Sequence, residues 1–120
     1  METNSPFKTA DSGKNAAVVS YIFLIGWLIS YFAMYKDNKT ALSSYHLRQS
    51  LLLHLGAIVL NIVVTILIGI MPTAIFGYLS YLIYIAYIIF IILGAISANN
   101  SEQKPLPLIG DKAQTMFPSI

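Results

Sequence analysis

The sequence predicts an all-α integral membrane protein with three transmembrane helices and a short helical cytoplasmic connector. Three observations lead there. Hydrophobic residues make up 57% of the 120-residue chain and charged residues only 10%, whereas an ordinary soluble domain carries about 25% charged residues. No Asp, Glu, Lys or Arg occurs between Arg48 and Glu102, so this stretch cannot build a soluble surface. The mean hydropathy of +0.71 suits a chain that meets lipid over most of its length. A soluble enzyme or nucleic-acid binder is close to excluded. The net charge of +2 is too small to make an anionic polymer the main partner. With no cysteine, the chain has no disulfide, thiolate metal ligand or cysteine nucleophile.

Residues 1–15 are polar and lack apolar periodicity, which predicts an N-terminal tail. The apolar run 16–35 predicts the first span, since at about 1.5 Å per residue it covers about 30 Å, the hydrocarbon thickness. It is too long for a signal sequence and no small-residue cleavage site follows it, so it reads as a retained helix. Trp27, Tyr31 and Tyr35 place aromatics in its second half, where an interfacial belt belongs. Residues 36–49 form a charged connector, with Asp37 or Asn38 placed to cap a helix starting near Lys39.

The second span is expected over 50–71. Pro72 interrupts it, and Met71, Pro72 and Thr73 leave room only for a tight turn. The third span, 73–98, exceeds what a bilayer needs and should tilt or project. The membrane domain thus covers 16–98. The tail, 99–120, is broken by Pro105, Pro107, Gly110 and Pro118, but Leu106, Leu108, Ile109, Met116 and Phe117 keep it apolar enough to lie on the membrane or the bundle. Three spans separate the termini. Lys36, Lys39, Arg48, Lys104 and Lys112 then share one side, and Lys8 and Lys14 the other. The positive-inside rule puts the connector 36–49 and the C-terminus in the cytoplasm of a bacterial inner membrane.

The second span carries a polar stripe. At about 100° per residue, Ser50, His54, Asn61 and Thr65 fall within an arc of about 60°. Polar groups in hydrocarbon are costly unless they face protein or water. The stripe therefore reads as interhelical hydrogen bonding, as a polar path with His54 as its titratable group, or as an oligomer contact. Tyr78, Tyr81, Tyr84 and Tyr87 recur every three residues, so they sweep around the third helix and some must face lipid. Gly26-x-x-x-Ser30 and Gly94-x-x-x-Ala98 are small-residue spacings that allow close helix contact. His46 and His54 make a poor metal pair, with no carboxylate or cysteine to complete a site. All five acids lie outside the spans, and no nucleophile stands beside a base. No catalytic residue, metal or cofactor is expected, and the chain is not read as an enzyme.

The run from Tyr21 to Phe32, the charged stretch Lys36-Asp37-Asn38-Lys39, the signature Tyr45-His46-x-x-Gln49 and the tail Pro107-x-x-Gly110 together carry a resemblance. They resemble small bacterial membrane proteins labelled import component proteins, distant kin of the import-component family of the chloroplast inner-envelope translocon. The resemblance covers about residues 16–113 and implies a helical membrane fold. It also implies that Tyr45, His46 and Gln49 are signature positions that could contact a partner. On this reading the chain is an accessory or scaffold subunit of a membrane complex, with the lipid bilayer and other membrane proteins or a second copy as partners. The alternative is an oligomeric polar conduit or transporter-like protein using the Ser50, His54, Asn61 and Thr65 face.

Overall fold

The computed structural model describes residues 13–120. The expected polar tail lies outside the described residues except at 13–15, where Gly13 precedes the first helix and Lys14 and Asn15 begin it. The elements are α1 (Lys14–Ser20), α2 (Phe23–Ile29), a π-helical stretch (Ser30–Tyr35), α3 (Ala41–Ile70), α4 (Ala74–Asn99) and α5 (Gly110–Met116).

The two long helices form an antiparallel hairpin. α3 starts at Ala41 because Thr40 caps it: the Thr40 hydroxyl accepts from the Ser43 N–H at 3.1 Å and the Ser43 hydroxyl from the Thr40 N–H at 3.0 Å. This reciprocal pair is a capping box. It corrects the expected cap at Asp37 or Asn38 and draws most of the connector into α3, leaving only 36–40 outside a helix. At the far end, Pro72 lacks an N–H and disfavours helical geometry at the residue before it. Met71 accordingly leaves the helix with φ −133° and ψ 89°, and Thr73 opens α4 in extended conformation. α4 closes on a left-handed Ser101 (φ 56°). The Glu102 N–H reaches the Ser97 carbonyl at 2.9 Å and the Ser101 N–H the Ala98 carbonyl at 3.0 Å. This is the Schellman arrangement, which satisfies orphan carbonyls and turns the chain back.

The expected first span is not one helix. α1 stops at Ser20, Phe23 takes a left-handed φ of 57°, and α2 returns beside α1. The Ser30 hydroxyl donates to the Ala16 carbonyl, so the return brings residue 30 back level with residue 16. Gly26 makes this possible, because a Cβ there would sit 2.6 Å from the Val19 carbonyl oxygen and 2.7 Å from Ile22 Cβ. The Gly26-x-x-x-Ser30 spacing does serve close contact, but within the N-terminal segment. The resulting helical hairpin packs on the lower half of α3 and α4. Gly94-x-x-x-Ala98 receives it: Ala98 is buried, and a Cβ on Gly94 would run into the Tyr21 ring. Tyr21, Ala17, Leu53, Ala98 and Leu106 form one apolar cluster, and Trp27, Tyr35 and Leu47 a second.

The tail returns to the same end. The Arg48 guanidinium donates to Gln114 Oε1 and to the Ile120 carbonyl, both at 3.2 Å, and Gln114 Nε2 donates to the Tyr45 carbonyl at 2.9 Å. Gly13 abuts Thr40 and Ser43. The N-terminal hairpin, the 36–40 turn and the tail thus gather at one end of a body 61 Å long and about 23 Å across.

Above that end the long helices are bare. Only 17% of the most apolar window of α3 and 6% of that of α4 is buried within the chain. Core helices of a soluble protein would be mostly covered. Among the described residues two helices are, by length and composition, apolar enough to cross a membrane, in place of the expected three.

The packing makes a graded prediction. Gly94→Ala forces the Tyr21 ring to move, and overpacking of this kind costs about 1–3 kcal/mol. A Cβ on Gly56 meets nothing within 4 Å, so Gly56→Ala should be neutral or slightly stabilising. Denaturation of the two purified variants in detergent checks the contrast, and equal stabilities would refute the packing.

Candidate functional site

The densest polar arrangement lies where the three parts meet. Tyr21 ends α1, His46 and Gln49 lie one turn apart on α3, and Glu102 to Leu106 cross below α4. Tyr21, His46 and Gln49 are fully buried. His46 Nε2 lies 2.6 Å from the Glu102 carbonyl oxygen, which can only accept, so this nitrogen carries the proton. In the neutral ring Nδ1 is then an acceptor, and the Tyr21 hydroxyl donates to it at 2.7 Å. The Tyr21 oxygen in turn accepts from Gln49 Nε2 at 2.7 Å. Gln49 Oε1 accepts the Leu106 N–H at 2.8 Å, and Gln49 Nε2 also lies 3.4 Å from the Lys104 carbonyl. A directed chain therefore runs from Gln49 through Tyr21 and His46 to the Glu102 carbonyl. Tyr21 lies outside the two long helices. Desolvation pushes its phenol well above the ordinary tyrosine value, against the lowering effect of the Gln49 bond, so it remains a neutral donor.

The pattern recurs two turns higher on α3. His54 Nε2 donates to the Ser20 carbonyl at 2.8 Å, and the Tyr87 hydroxyl donates to His54 Nδ1 at 2.6 Å. The Ser20 carbonyl belongs to the last turn of α1, where helical carbonyls lack partners. His54 thus closes the helix end that the Phe23 turn leaves open. The Ser50 hydroxyl donates to the Ser20 hydroxyl at 2.9 Å, which donates to the Ala17 carbonyl at 2.7 Å. Trp27 Nε1 donates to the Leu47 carbonyl at 2.8 Å.

The structure divides the residues singled out by sequence. His46, Gln49, Ser50 and His54 come together in the buried network. Tyr45 is half-buried; its backbone carbonyl holds Gln114, and its ring lies against the His46 ring with centroids 5.3 Å apart. Asn61 and Thr65 stand apart, exposed on the bare part of α3. The Thr65 hydroxyl bonds back to the Asn61 carbonyl at 2.8 Å, and the Asn61 amide has no partner among the described residues. Both line an open groove of about 580 Å³ between α3 and α4 that reaches down to His54 and Tyr87. The stripe is one face in sequence, but only its lower half is covered by the N-terminal hairpin. Of the four tyrosines of α4, Tyr78, Tyr81 and Tyr84 are exposed and Tyr87 turns inward.

Sequence reasoning missed Ser20, Tyr21 and Tyr87 as network members. The signal was a hydroxyl every turn or so among apolar residues, which many membrane helices carry. No group of three or more His, Asp or Glu placed to hold a metal ion occurs among the described residues. The arrangement is suited to clamping. Every buried side-chain polar atom of the network is paired, and it joins the N-terminal hairpin, α3 and the tail.

Removing one member leaves the others unpaired, at about 1–3 kcal/mol per buried group. Gln49→Leu is therefore expected to destabilise the fold and release the tail, so that trypsin cuts faster after Lys112, the tail lysine not followed by proline. Asn61→Leu should do neither. The check is limited proteolysis in detergent, and equal cleavage of the two variants would show that Gln49 does not hold the tail.

Comparison with known proteins corrects the expected kinship. No curated protein and no solved structure shows a match. The family model that matches, over residues 12–112, is that of the magnetosome magnetite crystal formation protein family. It replaces the import-component resemblance and the translocation-related scaffold role built on it, and it lends no support to the polar conduit. Of the signature that suggested import, His46 and Gln49 are members of the buried clamp. Matched along most of its length, the chain belongs to the magnetosome magnetite crystal formation protein family.

Proposed function

We propose that this chain contributes to magnetite crystal formation from within the membrane, as a structural rather than an enzymatic component. The family match over 12–112 is the observation that carries the reading. Two features of the chain support it. The long helices offer lipid an apolar surface over the full bilayer thickness. The polar side chains of the clamp are engaged with one another, which leaves them to fix shape.

The distribution of charge orients the molecule. Lys14, Lys36, Lys39, Arg48, Lys104 and Lys112 all lie at the end where the N-terminal hairpin and tail gather, and the Met71–Thr73 turn carries no charge. By the positive-inside rule the broad end faces the cytoplasm of a bacterial membrane. Among the described residues, the opposite side then receives only a three-residue turn without an acidic side chain. Such a turn offers no carboxylate to iron, so the contribution to the crystal runs through the membrane that bounds it.

Two measurements test this reading. The chain has no native cysteine, so Asn15→Cys, Lys112→Cys and Thr73→Cys each give a unique label site. The first two are expected to react from the cytoplasmic side and the third only from the other; labelling of Asn15→Cys from the side of Thr73→Cys would restore the three-span arrangement. For the role itself, the chain is expressed in a magnetite-forming bacterium from which its own family members have been deleted. Electron microscopy should show crystal size restored toward normal, and an unchanged size distribution would overturn the role.

A further inference from the structure

The outline of the molecule is unequal along its long axis. The apex of the N-terminal hairpin is level with His54 and Tyr87: the Ser20 carbonyl meets His54, and the Phe23 and Tyr87 rings lie 6.0 Å apart. His54 is six residues beyond Arg48, the last charge before the apolar stretch, so the apex sits only about 9 Å deeper than Arg48 at about 1.5 Å per residue. A leaflet is about 15 Å thick, half the hydrocarbon core. The hairpin therefore occupies one leaflet and stops there. Below its apex the section holds α1, α2, α3 and α4. Above it, α3 and α4 run alone.

The outer face of this hairpin is built for lipid. Ile22, Phe23, Ile25, Leu28, Ile29 and Phe32 are all exposed, the most open being Ile25 at 72% and Phe32 at 62%. Lys36, Lys39 and Lys112 stand exposed at the same end, which keeps a net positive charge over Asp37, Glu102 and Asp111, so anionic headgroups would meet it. With a helix about 10 Å across, the section is roughly two helices wide in one leaflet and roughly four in the other. An inclusion that displaces more lipid from one leaflet fits best where that leaflet is expanded, on the convex side of a curved bilayer.

We infer that this protein is a one-leaflet wedge, and that its N-terminal hairpin partitions it toward membranes curved convexly at its charged end. The inference needs the membrane placement proposed above but not the role in crystal formation. The partner surface is lipid: a strongly curved bilayer containing anionic phospholipid.

Narrow tethers pulled from giant vesicles of mixed phosphatidylcholine and phosphatidylglycerol test it. The full chain is labelled near its C-terminus, and a membrane-impermeant quencher separates the outward-facing copies from the inward-facing ones. Copies with the charged end outward should be enriched several-fold per unit lipid area in the tether over the parent vesicle, and copies facing inward should be depleted. The double variant Ile25→Ser and Phe32→Ser weakens the hairpin's hold on the leaflet without touching the clamp, and its enrichment should fall toward unity. Even distribution of the inserted wild type would overturn the wedge while leaving the membrane placement intact. Equal enrichment of wild type and variant would overturn the assignment to the hairpin. Protein that fails to enter the bilayer would overturn both the placement and the wedge.

Discussion

The Tyr21 hydroxyl is the atom on which the arrangement turns. It donates to His46 and accepts from Gln49, and through these two it is connected to the Glu102 carbonyl and the Leu106 N–H. One phenol thus couples three stretches of chain that sequence separates widely. Its ring lies where Gly94 has no side chain, so the same residue also sets how closely α1 approaches α4. Water is scarce at this depth, and an unmet donor or acceptor is costly there. The network is held less by any single strong bond than by the lack of an alternative for its members.

The two histidines show how the chain handles polar groups near lipid. Each is a neutral ring whose Nε2 proton goes to a main-chain carbonyl and whose Nδ1 takes a tyrosine proton. The carbonyls are not arbitrary. The Ser20 carbonyl belongs to the interrupted end of α1 and the Glu102 carbonyl to the turn after α4, where main-chain partners run out. The side chains thus complete the hydrogen bonding of a backbone that breaks its helices inside an apolar setting, which is tolerated only where protein buries the break.

Much of this was legible in the sequence. The charge-free stretch and Pro72 marked the two long helices, and the small-residue pairs marked close contacts. Tyr45, His46 and Gln49 stood out as a signature that could contact a partner, whereas His46 and Gln49 lie buried in the network. What could not be read was the return of the first apolar run. Residues 16–35 have the length and hydropathy of a span, and nothing in composition distinguishes a straight helix from one folded back at Phe23. The break follows from distant partners: His54 waiting for the Ser20 carbonyl, and Gly94 leaving space for Tyr21. The cap was misplaced for a related reason. Asp37 and Asn38 are good caps in isolation, but Thr40 has Ser43 three residues on to complete the reciprocal pair. Asn61 and Thr65 share the wheel position of Ser50 and His54, and a wheel carries no information about how far up a neighbour reaches.

The folded-back N-terminal segment also sets an order of assembly. Tyr21 leaves the ribosome early, yet its partners on α3, on α4 and in the 102–106 turn are made later, some of them near the end of synthesis. Until then the first apolar run lacks the surface on which it docks in the folded protein. The place of this early segment is therefore defined only by residues much later in the sequence, and its contacts are among the most non-local in the molecule.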